Sequence, residues 1–317
     1  MIESNRFSSH HKRQMLALKN THGNFADMNF KNIGIVGKSG EQAQNTLNAL
    51  IEYLGKRGLN VRIETKTSDN LNNSRIPVLD KSELCAYSDL IIVVGGDGTL
   101  LGTAREAVLH DTPVLGINLG RLGFLVDISP DDMQDSLDQV FAGNFETDKR
   151  SLLEVNFDDD SQYHVAFNDI VLHKWNTARL IEFETFINHQ FVDRQRSDGL
   201  IISTPTGSTA YALSGGGPLI HPALDAMALV PICPHTLSNR PVVIDAASKI
   251  EIRVCEHTPQ DHLRITCDGQ NSLPIENTQS SIFIQKHDKR VSLIHPPGHD
   301  HFQILRNKLG WGKHHTN

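Results

Sequence analysis

The apolar run Leu90-Ile91-Ile92-Val93-Val94 passes without a polar break into Gly95-Gly96-Asp97-Gly98-Thr99. A run that is apolar at every position reads as a strand buried on both faces, the mark of a parallel sheet covered by helices. Leu100, Ala104, Ala107 and Val108 then recur at helical spacing, so the spacing predicts strand, glycine turn and a helix from Thr99 in direct succession. Such a junction gathers backbone N–H groups at the positive end of a helix, which suits phosphate. The dinucleotide fingerprint G-x-G-x-x-G is absent. Asp97 instead puts a carboxylate where phosphate would sit. Two roles are open to it: a reacting group facing a hydroxyl or a metal, or a cap on the helix.

The surrounding chain has the same texture. Ile33-Gly34-Ile35-Val36-Gly37, residues 59–63 and Pro113-Val114-Leu115-Gly116-Ile117 read as strands, while Ala43, Leu47, Leu50, Ile51 and Leu54 mark one helical face closed near Gly55 and Gly58. A short helix is expected over 81–87. The alternation predicts a Rossmann-like α/β layer whose ligands sit beyond the carboxyl ends of its strands. Residues 32–39 end in Gly37-Lys38-Ser39, yet the P-loop's first glycine is missing and the strand occupies its variable positions. It is not a P-loop, although the strand end can border a ligand. From Leu152 onward the texture changes. Strands are predicted over 152–157, 165–173, 180–187, 199–204, 242–244, 249–254, 263–267, 281–286 and 291–294, which implies a β-rich domain, a sandwich or stacked sheets.

Three segments follow: a flexible N-terminal extension over 1–28, an α/β domain over 29–126 joined by residues 295–317, and a β-rich domain over 127–294. Helices are expected over 130–141 and 302–311, the second with Phe302, Leu305 and Leu309 on one side and docked on the first domain. Met28, directly before the first ordered pattern, is the expected native start.

Composition narrows the function classes. A net charge of −7 argues against a nucleic-acid partner, and no run of 18 apolar residues exists, so a cytoplasmic protein without a membrane contact is expected. Cys85, Cys233, Cys255 and Cys267 form no C-x-x-C pair and are expected to be buried, reduced thiols. Of the 17 histidines, His10-His11, His299 with His301, and His314-His315 cluster without a metal-site companion at useful spacing, so no protein-held metal is expected.

A second constellation lies inside the β-rich segment. Ser197-Asp198-Gly199 leads through an apolar strand into Thr204-Pro205-Thr206-Gly207-Ser208-Thr209-Ala210-Tyr211, followed by Ala212-Leu213-Ser214-Gly215-Gly216-Gly217. Small residues let a ligand approach the backbone, and hydroxyls with free N–H groups suit ribose and phosphate; a helix is expected near Ser208. Asn168-Asp169 opens another strand. Arg196 and Asp198 flank the loop, and a surface ion pair would account for them equally well.

Together these motifs, in this order and with Asn118-Leu119-Gly120 and Gly123-Phe124-Leu125 between them, resemble the NAD kinase family over roughly residues 30–311. The G-G-D-G-T element is shared with diacylglycerol and sphingosine kinases; the T-P-T-G-S-T-A-Y element is far more specific. The resemblance implies ATP-dependent phosphorylation of the adenosine-ribose 2′-hydroxyl of NAD, with Asp97 as general base. It also implies a phosphate loop of Gly95, Gly96, Gly98 and Thr99, and magnesium carried on the ATP oxygens. NAD contacts carry over to Asp97, Gly98, Asn168, Asp169, Arg196, Asp198, Thr209, Ala210, Tyr211, Ala212, Leu213, Ser214 and Gln270, with Arg179 near a ligand phosphate. A homodimer or homotetramer is implied as well. The alternatives are a lipid kinase with the same phosphate loop, and an NADP(H)-binding sensor without turnover.

Overall fold

A computed structural model describes residues 30–69, 71, 76–120, 122–157, 163–256, 258, 262–275 and 281–311. The extension over 1–28, the start at Met28 and the pairs His10-His11 and His314-His315 lie outside the described residues.

Strand β1 (Asn32–Gly37) lies between β2 (Asn60–Glu64) and β4 (Leu90–Val94), with β3 (Val78–Leu79) outside β2 and β5 (Val114–Ile117) beside β4, all parallel. All five residues of β4 are buried, which is why its sequence carries no alternation. The helix Glu41–Lys56 buries Ala43, Leu47, Leu50 and Leu54 on one side of this sheet, and Asp80 and Glu83 form a capping box at the start of the helix Lys81–Tyr87. Gly37, Val94 and Ile117 sit in register across β1, β4 and β5. Whatever follows those three strands is therefore delivered to one edge of the sheet.

The remaining strands are β6 (Glu146–Phe157), β7 (His164–Ala166), β8 (Asp169–Lys174), β9 (Ile181–Ile187), β10 (Gln190–Ser197), β11 (Gly199–Ser203), β12 (Ala226–Ile232), β13 (Val242–Asp245), β14 (Ile250–Val254), β15 (Leu263–Cys267), β16 (Asn271–Pro274) and β17 (Ser281–His295). Six of them form a second sheet in the order β13-β12-β11-β8-β15-β16. Its inner face packs on β6, β9, β14 and β17, and the shared core holds Ile170, Leu172, Leu200, Ile202 and Ile265 from one side with Leu153, Phe183, Ile252 and Ile284 from the other. The expected sandwich is present.

Three features differ from the sequence reading. The segment 165–173 divides into β7 and β8. Residues 281–286 and 291–294 form one strand, β17, with a register shift between Lys286 and Arg290. Strands β10, β12 and β16 escape the pattern because their apolar residues are few or interrupted by polar ones and proline. β17 has a structural consequence: it pairs antiparallel with β6 and β14 and, at Leu293, parallel with β5 of the α/β sheet. One eleven-stranded sheet thus runs through residues on both sides of position 126.

After β17 the chain turns back. Asp300 caps the helix His301–Leu309 by accepting from the Phe302 and Gln303 N–H groups, and Gly310 closes it at a φ of 70°. Ile304 and Leu305 carry the docking; Phe302, expected on the buried side, is exposed. The Lys308 ammonium lies 5.5 Å from the Phe124 ring centroid. Asp127 meets the same tail, and its Oδ2 lies 2.8 Å from Nδ1 of both His295 and His299. Burial works to raise the Asp127 carboxyl, but the hydrogen bonds and charge of the two histidines outweigh it and hold it well below the usual carboxylate range. Cys85 and Cys267 are buried, their thiols pushed up to about 12 by burial, whereas Cys233 is exposed, contrary to expectation. Among the described residues no helix is long and apolar enough to cross a membrane.

Candidate functional site

Gly96 is the N-cap of the helix Asp97–Ala107, and Asp97 is the helix's first residue. The Asp97 side chain does not cap. Its Oδ2 accepts from the Phe124 N–H at 2.9 Å and its Oδ1 from the Leu125 N–H at 3.1 Å. A β-carbon placed on Gly123 would come within 2.1 Å of Oδ1, so only glycine lets the second loop close this far over the carboxylate. Of the two roles open to Asp97, the cap is excluded by geometry. The Gly123-Phe124-Leu125 stretch is explained by the same contact, since it is the part that orients the carboxylate.

The aligned ends of β1, β4 and β5 enclose a cavity of about 480 Å³ lined by Lys38, Ser39, Gly40, Glu41, Gln42, Ala43, Gly95, Gly96 and Leu119. The rejected P-loop segment therefore does border a cavity, and it contributes a lysine. One expectation about the glycines changes. The Gly95 N–H is spent on the Ile117 carbonyl in the sheet at 2.9 Å, and the Lys38 N–H on Val94. The N–H groups of Asp97 and Gly98 belong to a first helical turn, where no intrahelical acceptor exists, and Asp97 there also complements the helix dipole.

A second cavity, of about 520 Å³, opens on the outer face of the six-stranded sheet. Along β8 the side chains alternate: Ile170 and Leu172 enter the sandwich core, while Asp169, Val171 and His173 line the cavity. Asn168, Lys174, Asp198, Ala210, Tyr211, Ile232, Thr266, Asp268 and Gly269 complete it. Five residues singled out in the sequence, Asn168, Asp169, Asp198, Ala210 and Tyr211, thus meet in one place although they span more than 40 positions. Asp198 pairs with Lys174 at 2.6 Å rather than with Arg196.

The two cavities are joined through a residue the sequence reading missed. Asp268, whose side chain is fully buried, follows β15 in a tight turn and accepts from three successive N–H groups: Phe167 at 3.0 Å, Asn168 at 2.7 Å and Asp169 at 3.2 Å. It also pairs with Arg105 on the helix that Asp97 begins. The second guanidinium nitrogen of Arg105 donates to Gln270 Oε1, and Gln270 Nε2 donates to the Gly98 carbonyl at 2.8 Å. The available signal is the strand-to-turn sequence Cys267-Asp268-Gly269-Gln270, in which the sequence places only Gln270 among the ligand contacts. Asp268 and Gly269 both take positive φ, 55° and 62°.

Burial and then the charge of Asp268 push the Asp169 carboxyl up to about 7. An acid raised in the folded state holds its proton more tightly there. Its contribution to stability is therefore complete below the unfolded value, near 3.9, and is lost as the pH rises through about 7. Thermal unfolding should show the wild type losing on the order of 2–4 kcal/mol between pH 4 and pH 8 relative to Asp169→Asn. Parallel pH profiles for the two proteins would refute the assignment.

The T-P-T-G-S-T loop is built differently from the expectation. Residues 206–209 form a single 3-10 turn and Tyr211–Ser214 one helical turn. Thr204 Oγ1 donates to the Phe167 carbonyl, Ser208 Oγ to Pro205, and Thr209 Oγ1 to Thr206, while Thr206 Oγ1 accepts from the buried Arg150. These hydrogen bonds shape the loop from within. Gly207 abuts the Asn168 carbonyl so closely that a β-carbon would lie 2.0 Å from it, which locks the loop onto the Asn168-Asp169 turn. Ala212 is buried in a small core with Ile201, Ile220 and Val230. Leu213 and Ser214 follow it on the same turn, outside the cavity lining, and Arg179 and Arg196 are exposed and also outside it.

Fold and site define a class: an α/β sheet whose glycine turn presents an oriented carboxylate, linked through Arg105 and Gln270 to a polar cavity on a β sandwich. The ATP-NAD kinase N-terminal domain matches residues 33–145 and the ATP-NAD kinase C-terminal domain residues 167–295. The NAD kinases of Chromohalobacter salexigens and Teredinibacter turnerae are 49% and 48% identical to this chain, covering 89% and 90% of it and 97% and 98% of themselves. Among solved structures, yeast NADH kinase complexed with NADH aligns with a TM-score of 0.79 at 23% identity, over 89% of this chain and 88% of its own. An NAD kinase from Archaeoglobus fulgidus in complex with ATP aligns at 0.67 and 27%, over 88% and 97%. The chain belongs to the NAD kinase family.

Proposed function

We propose that this protein transfers the terminal phosphoryl group of ATP to the 2′-hydroxyl on the adenosine ribose of NAD, forming NADP. One observation carries the reading: a single oriented carboxylate, Asp97, lies between residues that reach the two cavities. Gly96, immediately before Asp97, lines the cavity at the strand ends; Gly98, immediately after it, is bonded to Gln270, the neighbour of Gly269 in the other. The similarity to NAD kinases supports the same donor and acceptor.

Phosphoryl transfer passes through a loose transition state, so positioning and charge neutralisation do most of the work. The helix N-terminus at Gly96–Gly98 and the Lys38 ammonium receive the donor phosphates. Asp97 orients the ribose hydroxyl and takes its proton late, as P–O bond formation makes that hydroxyl acidic. Asn168, Asp169 and Asp198 offer the polar edge that ribose and amide groups of the acceptor need. Among the described residues Glu41 is the one carboxylate lining the glycine-side cavity, which fits magnesium that arrives on the nucleotide and keeps most of its water. Self-assembly into a homodimer or homotetramer is supported by the exposed apolar side chains of Leu237 and, on the edge strand β13, Val242 and Val243.

The test is NADP formation from NAD, ATP and magnesium, read through an NADP-specific dehydrogenase, beside a parallel assay with diacylglycerol as acceptor. NADP without phosphatidate is expected. Phosphatidate without NADP would establish the lipid kinase, and tight NADP binding without either product would establish the sensor.

A further inference from the structure

His295 and His299 stand at the H-x3-H spacing that metal sites use, and the turn between them stacks their rings with centroids 3.8 Å apart and planes 23° from parallel. Both Nδ1 atoms converge on one oxygen, Asp127 Oδ2, at 2.8 Å each. His295 is 2% exposed, and neither imidazole's Nε2 has a hydrogen-bond partner. Every hydrogen-bonding contact of the two rings is thus made through Nδ1 at this single point. Two stacked imidazoles could share that carboxylate as donors, but nothing in hydrogen bonding requires the same oxygen to serve both. A cation gives a reason. Tetrahedral bonds of about 2.0–2.1 Å from zinc to imidazole nitrogen and carboxylate oxygen place neighbouring ligand atoms about 3.3 Å apart, so the three atoms need spread by only about half an ångström from their 2.8 Å spacing to seat an ion.

We propose that Asp127 Oδ2, His295 Nδ1 and His299 Nδ1 bind one divalent transition-metal ion of the zinc type. Each imidazole then carries its proton on Nε2, and no proton need leave a neutral ring. A fourth position opens toward a cavity of about 240 Å³ that Asp127 and His299 line with Ser129 and Asp132, where water can complete the coordination. Among the described residues this is the one group of three or more histidine, cysteine and acidic side chains whose ligand atoms lie within 4.8 Å of one another. The site is distinct from the Asp97 centre and needs no nucleotide.

The bound ion would fasten the returning tail to the loop that holds Asp97. Phe124 and Leu125, the donors to the Asp97 carboxylate, lie three and two residues before Asp127. The flanking Val126 and Ile128 carbonyls accept from Gly123 and Asn118. Residues 295–311 are thereby coupled to the geometry of the glycine turn, although none of them lines either cavity described above.

The test uses the untagged full chain, stripped with a chelator and then equilibrated with Zn²⁺ or Co²⁺. One ion per chain should survive gel filtration, Co²⁺ should give visible absorption of a nitrogen- and oxygen-ligated site, and Zn²⁺ should raise the thermal midpoint. His299→Asn is the decisive variant, because its amide N–H can still donate to Asp127 while it has no imidazole to offer. It should fold, bind Zn²⁺ at least 100-fold more weakly and lose the thermal gain; Asp127→Asn should behave alike. Wild type that retains no Zn²⁺, or variants that retain as much as wild type, would overturn the proposal, the second outcome placing the ion on other histidines.

Discussion

Replacing Asp97 by asparagine is expected to lower kcat for NADP formation by about 10²- to 10⁴-fold, the usual contribution of a positioned general base. The change is nearly isosteric, and the helix keeps Gly96 as its N-cap. One oxygen remains to accept from Phe124 or Leu125, while the new NH₂ faces the other N–H donor. Leaving that N–H unsatisfied costs about 1–3 kcal/mol, which at roughly 2–4 °C per kcal/mol moves the thermal midpoint by several degrees and no further. NADP should still bind, and removal of a charge near its 2′-phosphate should tighten it. Kinetics alongside a melting curve therefore separate the roles: retained turnover would dismiss Asp97 as the base, and a large loss of stability would return it to a structural part.

The second large effect falls on Asp268. Truncation to alanine strands the Phe167, Asn168 and Asp169 N–H groups and leaves the Arg105 guanidinium without its buried counter-charge. Breaking a buried ion pair from one side costs about 3–5 kcal/mol. A fall in midpoint on the order of 10 °C is expected, with NAD affinity lost as the Asn168-Asp169 turn relaxes. Arg105→Met should do less, because Asp268 keeps its three backbone donors. Equal damage from the two variants would mean that the ion pair, and not the backbone cradle, holds the turn.

Much of this was legible from local pattern. The run from Leu90 to Val94 with glycines behind it specified a buried parallel strand and a helix start, and both are present. Asn168, Asp169, Asp198, Ala210 and Tyr211 were recognisable from motifs and do share a cavity. What escaped was non-local. Asp268 sits in an ordinary-looking hairpin turn, and its weight comes from donors about 100 residues away. The hydroxyls of Thr204, Ser208 and Thr209 looked available because a sequence shows donors without showing where their protons are spent. β17 read as two strands because the polar stretch around Asp288 interrupts its alternation, while the pairing that continues it lies on β6.

The sequence by itself determined most of the elements, the family and the carboxylate that follows the glycine turn, since each depends on residues that are neighbours along the chain. Periodicity of 2 or 3.6 and a glycine turn are short-range properties. Tertiary structure alone decided how Asp97 is aimed, which segments share the large sheet, and why His295, His299 and Asp127 meet. Those depend on contacts between residues tens to well over a hundred positions apart, where registration between strands, and not spacing in the chain, sets the distance.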